Sequence, residues 1–286
     1  MKNAIAVSHL TRDYGSFKLD DVSFTLPGGS ILGLIGENGA GKTTTIKCLL
    51  DLVHPDSGEI TLLDRDAARE GPAIREEIGV VLDESAFHDA LRPRDVDKVL
   101  GRIYRNWDSA LFRSCCARFS LPWDKTVKTF SRGMKMKLSI AGALAHHPRL
   151  LLLDEATGGL DPVVRDELLD EFLAFIGDED HSILLSSHIT SDLEKCADYI
   201  VYLHQGRVVL QGAKDDLLEN YGRLVCTRSD LERLDQSQLR GLRVGRFGCE
   251  ALIQNRRTFA RQHPGLTVDP VTLEDIMVFT VRGDSK

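Results

Sequence analysis

Between Gly36 and Thr44 the chain reads "GENGAGKTT", and no other stretch narrows its fold as much. The pattern G-x-x-x-x-G-K-[ST] carries meaning when a strand precedes it and a helix follows. "SILGLIG" reads as a buried strand running into a glycine-rich turn, and a helix is expected after it. That sequence of elements aims successive backbone N–H groups and a helix N-terminus at one point, where phosphate oxygens can sit. In such a cradle Lys42 reaches the terminal phosphates of a nucleotide and Thr43 offers its hydroxyl to Mg2+. Gly36, Glu37, Asn38, Gly39, Ala40, Gly41, Lys42, Thr43 and Thr44 are therefore the candidate phosphate-binding residues. Many nucleotide-hydrolysing families share the pattern, and a chance glycine turn is the alternative to it.

A second segment, "LLLLDEATGGLDP", adds carboxylates. Its leucines, like "HSILLSSH" further on, are apolar on both faces, as strands central to a parallel sheet are. A carboxylate ending such a strand beside the phosphate loop can hold Mg2+ through water, which assigns Asp154. Glu155, the next residue, can take the proton of an attacking water. A lone Asp-Glu pair is more often a solvated turn, but the four leucines place this one at the edge of a core strand. A helix follows, with Asp161 as its cap, Pro162 in its first turn, Leu168, Leu169, Phe172, Leu173 and Ile176 facing inward, and Gly177 at its stop.

Short antiparallel strands are expected at residues 4–8 and 22–26, and a hairpin in "YIVYLHQGRVVLQG" turning near Gln205 and Gly206. From Asp95 the apolar Val96, Leu100, Ile103 and Tyr104 recur at helical spacing, and a second helix begins with Asp108 as cap. Residues from about 84 to 147 form a helical subdomain on this reading. After Tyr221 the character changes to many arginines and short apolar groups, which predicts a domain over 1–221 and a small C-terminal α+β subdomain over 222–286. No internal repeat or low-complexity tract stands out.

At 286 residues and 42% hydrophobic content the chain can fill a real core. Its formal net charge of -7 argues against holding a polyanion across a broad face, so no nucleic-acid partner is expected. The six cysteines form no Cys-x-x-Cys pair, and reduced thiols are the expectation. No signal segment is expected at the N-terminus, and the longest apolar run, around Leu150 to Leu153, is far short of the roughly 20 residues a membrane span needs.

Taken in order, these motifs resemble the ATP-binding subunits of ABC transporters, over about residues 1–221. The resemblance implies a P-loop NTPase of the ABC ATPase type: an α/β fold with a central, mostly parallel sheet, an antiparallel β edge and an α-helical subdomain. Tyr14 in "RDYGS" matches the aromatic that stacks on adenine, the alternative being a strand aromatic in the core. "GGLDP" looks like the family's D-loop, with Asp161 reaching across a subunit interface. His188 in "SSHIT" matches the switch histidine that contacts the terminal phosphate, which makes Lys42, Glu155 and His188 the implied catalytic residues.

"FSRGM" stands at the family's signature, usually written L-S-G-G-Q. There the Ser hydroxyl, a Gly N–H and a helix N-terminus of one subunit close over the nucleotide held by the other. Ser131 and Gly133 are kept, whereas Arg132 and Met134 replace Gly and Gln, as in related export ATPases. Asp83 in "IGVVLDESAF" stands where the family usually has a Gln near Mg2+, so the implied metal set is Thr43, Asp154 and Asp83. Phe87 and the helix near Val96 to Tyr104 either border a docking groove for a membrane subunit or are simply core. The tail "VTLEDIMVFTVRG" is similar to the last helix of bacterial export-type (ABC-2-like) ATPases, particularly the Ytr-like branch.

The resemblance implies ATP and Mg2+ as cofactors, polytopic membrane permease subunits as partners, and a second ATP-binding subunit, identical or paired. It also implies a cytoplasmic place on the inner face of the cell membrane, energising export of an unknown substrate. The rival readings are a soluble ABC ATPase acting on ribosomes or nucleic acid, and a P-loop kinase or GTPase, which would lack the signature and the switch histidine.

Overall fold

The computed structural model describes residues 2–83, 87–245 and 248–283. The chain divides into two compact units, Met1–Val208 and Val209–Lys286. In chain order the first half holds β1 (Asn3–Asp13), β2 (Lys18–Pro27), β3 (Ile31–Ile35), α1 (Lys42–Leu49), β4 (Ser57–Leu62), β5 (Arg65–Asp66), α2 (Ala67–Arg75), β6 (Ile78–Val81), α3 (Pro93–Ile103), α4 (Ser109–Arg118) and α5 (Arg132–Leu144). There follow β7 (Leu150–Asp154), α6 (Pro162–Ile176), β8 (Ser182–Ser187), α7 (Thr190–Cys196), β9 (Tyr199–His204) and β10 (Arg207–Ala213). The last part holds α8 (Lys214–Asn220), β11 (Tyr221–Cys226), α9 (Arg228–Leu231), β12 (Leu239–Val244), β13 (Cys249–Gln254), α10 (Arg256–Gln262), β14 (Thr267–Asp269) and α11 (Leu273–Gly283).

One sheet has the strand order β10-β9-β3-β8-β7-β6, with β9, β3, β8, β7 and β6 mutually parallel. Its central strands β3, β7 and β8 are buried at every residue, which is why they read as unbroken apolar runs. The antiparallel part is a four-stranded sheet of its own, ordered β2-β1-β4-β5. The two sheets share one core in which Leu10, Leu19 and Leu26 join Leu32, Leu152 and Leu184. The hairpin from β9 to β10 turns on two residues, Gln205 at φ 47° and Gly206 at φ 79°. A Cβ on Gly206 would stand 1.9 Å from the carbonyl oxygen of Lys18, so the close approach of β2 demands glycine there.

Three helices occupy residues 93–144, as the sequence leads one to expect. Asp108 caps α4 by accepting from the N–H groups of Ala110 and Leu111. Two details differ from the sequence reading. Helix α3 starts at Pro93 with Arg92 as cap and Asp95 inside the first turn, and Ile103 is 60% exposed because only Val96 of the proposed stripe is fully buried. On α6, Leu168, Leu169 and Phe172 are buried while Leu173 is 46% exposed. Residue 173 falls about 100° around the helix from Phe172, past the stripe that meets α7 and β8. Phe87 is half-buried, its ring beside Gly142 of α5.

The second unit folds around a four-stranded antiparallel sheet, ordered β12-β13-β11-β14. Leu224, Cys249, Ile253 and Phe259 form its core. Among the described residues no helix is long and apolar enough to cross a membrane.

Candidate functional site

Parallel register brings the carboxyl ends of three strands level, with Ile35 beside Ser187 and Asp154 beside Ser186. Everything placed just beyond those residues therefore meets at one edge, where parallel α/β sheets bind their ligands. From β3 the chain enters the phosphate loop at Gly36. A Cβ on Gly36 would come within 2.6 Å of the Leu203 carbonyl oxygen and 2.8 Å of the Ala40 Cβ, so the loop can turn here only without a side chain. Gly39 and Gly41 take φ 84° and 113°, and α1 begins at once with Lys42. Lys42 is buried, and its Nζ donates to the carbonyl oxygens of Gly36 at 2.7 Å and Glu37 at 3.3 Å, closing the loop on itself.

Thr43 Oγ1 donates to Asp154 Oδ2 at 2.7 Å, so the two oxygens assigned to a metal from sequence meet. Asp154 is buried, and Ser186 donates to its other oxygen at 2.5 Å. Glu155 adopts φ 51°, a left-handed backbone uncommon for its type, and its N–H donates to Ser186. That backbone turns its carboxylate away from Asp154 and toward the Lys42 ammonium and the His188 imidazole. Lys42 Nζ lies 3.0 Å from Glu155 Oε1 as an ion pair, and His188 Nδ1 lies 2.7 Å from Oε2. The ion pair lacks hydrogen-bond alignment, so Oε1 is buried without a hydrogen-bond donor. Lys42, Glu155 and His188, far apart in sequence, thus form one chain of contacts.

Beyond the loop lies a groove of about 480 Å3, walled by Phe17, Lys18, Asp20, Asn38, Gly39 and Arg207 among others. Tyr14 does not line it; its ring is 47% exposed, with the Arg12 guanidinium 5.1 Å from the ring centre. Phe17 is the aromatic that approaches the phosphate loop, its Cζ 3.1 Å from where a Cβ of Gly41 would be. Glu37 in turn pairs with His204 at the end of β9, Oε1 to Nδ1, at 2.8 Å.

At the start of α5, Ser131 Oγ accepts the N–H of Met134 at 3.3 Å, capping the helix while keeping its own proton to donate. Among the described residues no hydrogen bond or ion pair joins Ser131, Gly133 or Met134 to the phosphate loop. Arg132 instead donates to Asp83 Oδ1 at 2.7 Å, two residues beyond β6. Asp161 caps α6, accepting from Val164 N at 3.0 Å. Its loop is tied down behind by Arg165, which donates to the Leu160 carbonyl at 3.4 Å and pairs with Asp192 of α7 at 3.8 Å. Burial pushes the Asp192 carboxyl above its ordinary range, against the pull of Thr157 and Arg165.

Sequence reading missed Ser186, His204, Phe17 and the Arg165–Asp192 pair. The serine was visible as a polar residue inside an otherwise apolar strand; the others carry no local signal.

Residues 19–158 match the family described as ABC transporter. The ABC transporter ATP-binding protein NatA of Bacillus subtilis (strain 168) is 34% identical over 206 residues, covering 70% of this chain and 83% of NatA. The chain belongs to the ABC transporter ATP-binding family. The bacitracin transport ATP-binding protein BcrA of Bacillus licheniformis is 34% identical over 214 residues, covering 73% of this chain and 69% of BcrA. Among solved structures, an ATP-binding subunit of an ABC transporter superposes with a TM-score of 0.67 at 29% identity, covering 75% of this chain and 91% of that one. A second, cbiO1 from Clostridium perfringens, part of the ABC transporter complex cbiONQ, superposes at 0.65 with 24% identity, covering 76% of this chain and 91% of that one, and supports the fold alone. This ABC subunit therefore binds and hydrolyses ATP.

Proposed function

We propose that this ABC subunit pairs head to tail with a second ATP-binding subunit, closes over ATP, and passes the motion of closing and reopening to membrane permease subunits that export a substrate. The contact chain Lys42–Glu155–His188 at the strand ends is the observation that carries the reading. Its domain comprises residues 1–221, followed by the smaller part at 222–286.

Lys42 and the N–H groups from Gly36 to Thr44 bind the phosphates, since a helix N-terminus and an ammonium favour the same anion. On binding, Lys42 exchanges Glu155 for phosphate, which frees a carboxylate at the moment a base is needed. Glu155 Oε1, buried without a donor, then accepts the proton of the attacking water. His188 holds Oε2 and keeps that carboxylate aimed. Tyr14 stacks on the base as the family resemblance implies, although Phe17 is the aromatic that walls the groove. The donor set suits Mg2+: a hydroxyl and a carboxylate, Thr43 and Asp154, within 2.7 Å of each other, with Asp83 two residues beyond β6, the strand that pairs with β7. When bound, the ion neutralises charge on the phosphates.

Ser131 and Gly133, with the α5 N-terminus, act in trans on the partner's nucleotide, and Asp161 reaches across the interface. ATP favours the closed state only through such contacts, which the open state lacks. Docking on the membrane places the subunit at the inner face of the cell membrane. Glu155→Gln tests the reading: it should keep ATP binding, lose most hydrolysis and accumulate as an ATP-dependent dimer in light scattering. Near-normal turnover by that variant removes Glu155 as the base.

A further inference from the structure

The two charged residues at which this chain departs from the family's usual signature and strand-end pattern touch each other. Arg132 Nη2 lies 2.7 Å from Asp83 Oδ1, across 49 residues of sequence. The guanidinium also lies flat against the loop after β7: a Cβ on Gly159 would stand 3.0 Å from Arg132 Nη1 and 3.1 Å from its Cζ. One side chain thus bridges the end of β6, the first residue of α5 and the loop that leads to Asp161.

Arg132 stands at the positive end of α5, where a cation is disfavoured and seeks an anion. In the separate subunit Asp83 supplies that anion. The pair is 56% and 53% exposed, and exposed ion pairs are weak and readily exchanged. A nucleotide phosphate carries more charge than a carboxylate and offers oxygens spaced for a guanidinium fork. We propose that Arg132 serves two anions in turn, Asp83 of its own chain in the open subunit and the terminal phosphate of the partner's nucleotide in the closed pair. The cis pair is then a latch that closure must open. Opening it releases the Asp83 carboxylate at the edge where Asp154 sits, and lifts the guanidinium off Gly159. This rests on the trans assignment of the signature made above.

The test is ATP-driven dimerisation in a Glu155→Gln background, followed by sedimentation at graded ATP. Asp83→Asn should lower the ATP needed for half-maximal dimer roughly two- to fivefold per site, the worth of an exposed ion pair. In an Arg132→Gly background the same Asp83→Asn change should do nothing, because there is no latch left to open. An equal effect of Asp83→Asn with and without Arg132 overturns the proposal, since Asp83 would then act through the metal alone. The nucleotide-free state is read independently by thermal midpoints of the two single variants and the double. Non-additive midpoints without nucleotide support the latch, and strictly additive ones overturn it. That arm needs no dimer, so failure of Glu155→Gln to dimerise would sink the trans reading and leave the cis pair separately measured.

Discussion

At the residue scale the site depends on where single side chains are turned. Glu155 follows Asp154 directly, yet its φ of 51° sends its carboxylate to Lys42 and His188 while Asp154 keeps Thr43 and Ser186. An unfavourable backbone held between two buried strand ends is tolerated where it serves a function. Ser131 has a dual duty: its oxygen caps α5 and its proton remains available. Ser131→Arg should therefore leave ATP binding by equilibrium titration near that of the parent and abolish ATP-dependent association in sedimentation. Loss of the cap costs about 0.5–2 kcal/mol, so the melting midpoint should drop modestly without loss of fold. A Ser131→Arg variant that still dimerises with ATP refutes the trans role.

At the element scale, helix starts and strand ends carry the chemistry, and both are set locally. Asp108 and Asp161 were legible as caps because Asp before a Pro- or Ala-containing first turn accepts free N–H groups wherever the helix packs. The inward face of α3 was less legible, since Ile103 and Val99 remain exposed and periodicity cannot say how much of an apolar stripe finds a neighbour. Just beyond α5, His146 is buried, stacks on Tyr104 at 4.0 Å between ring centres, and contacts the Ile78 carbonyl at 3.1 Å. Burial pushes its imidazole below the ordinary value of 6.5. The folded chain thus holds His146 neutral where the unfolded chain takes a proton, so stability is full above about pH 6.5 and falls as pH drops from there toward the lowered folded pKa. His146→Gln should flatten the part of the melting-temperature profile that lies below about pH 6.5. A wild-type slope retained in the variant would assign the loss to other groups.

At the scale of the whole molecule, the sheets protect what the composition left ambiguous. All six cysteines are buried thiols outside any disulfide, and burial pushes Cys48 up to about 11 and Cys116 up to about 12. Thiolate is the reactive form, so a disulfide reagent should modify the native protein slowly at pH 7 and all six thiols promptly in guanidinium. Fast native reaction would mean that the core opens readily. The sequence by itself determined the strand–glycine loop–helix unit, the all-leucine strand with its terminal Asp-Glu, the three-helix stretch and the order of the family's motifs. Each of these is a local pattern, fixed by what a few neighbouring residues can bury or bend. Only the tertiary structure decided that Thr43 meets Asp154 across 111 residues, that His204 anchors Glu37, that Phe17 rather than Tyr14 crowds the phosphate loop, and that Arg132 turns to Asp83. Those pairings follow from parallel register and from which loop ends share an edge, and register is a property of strands already packed together rather than of any one segment.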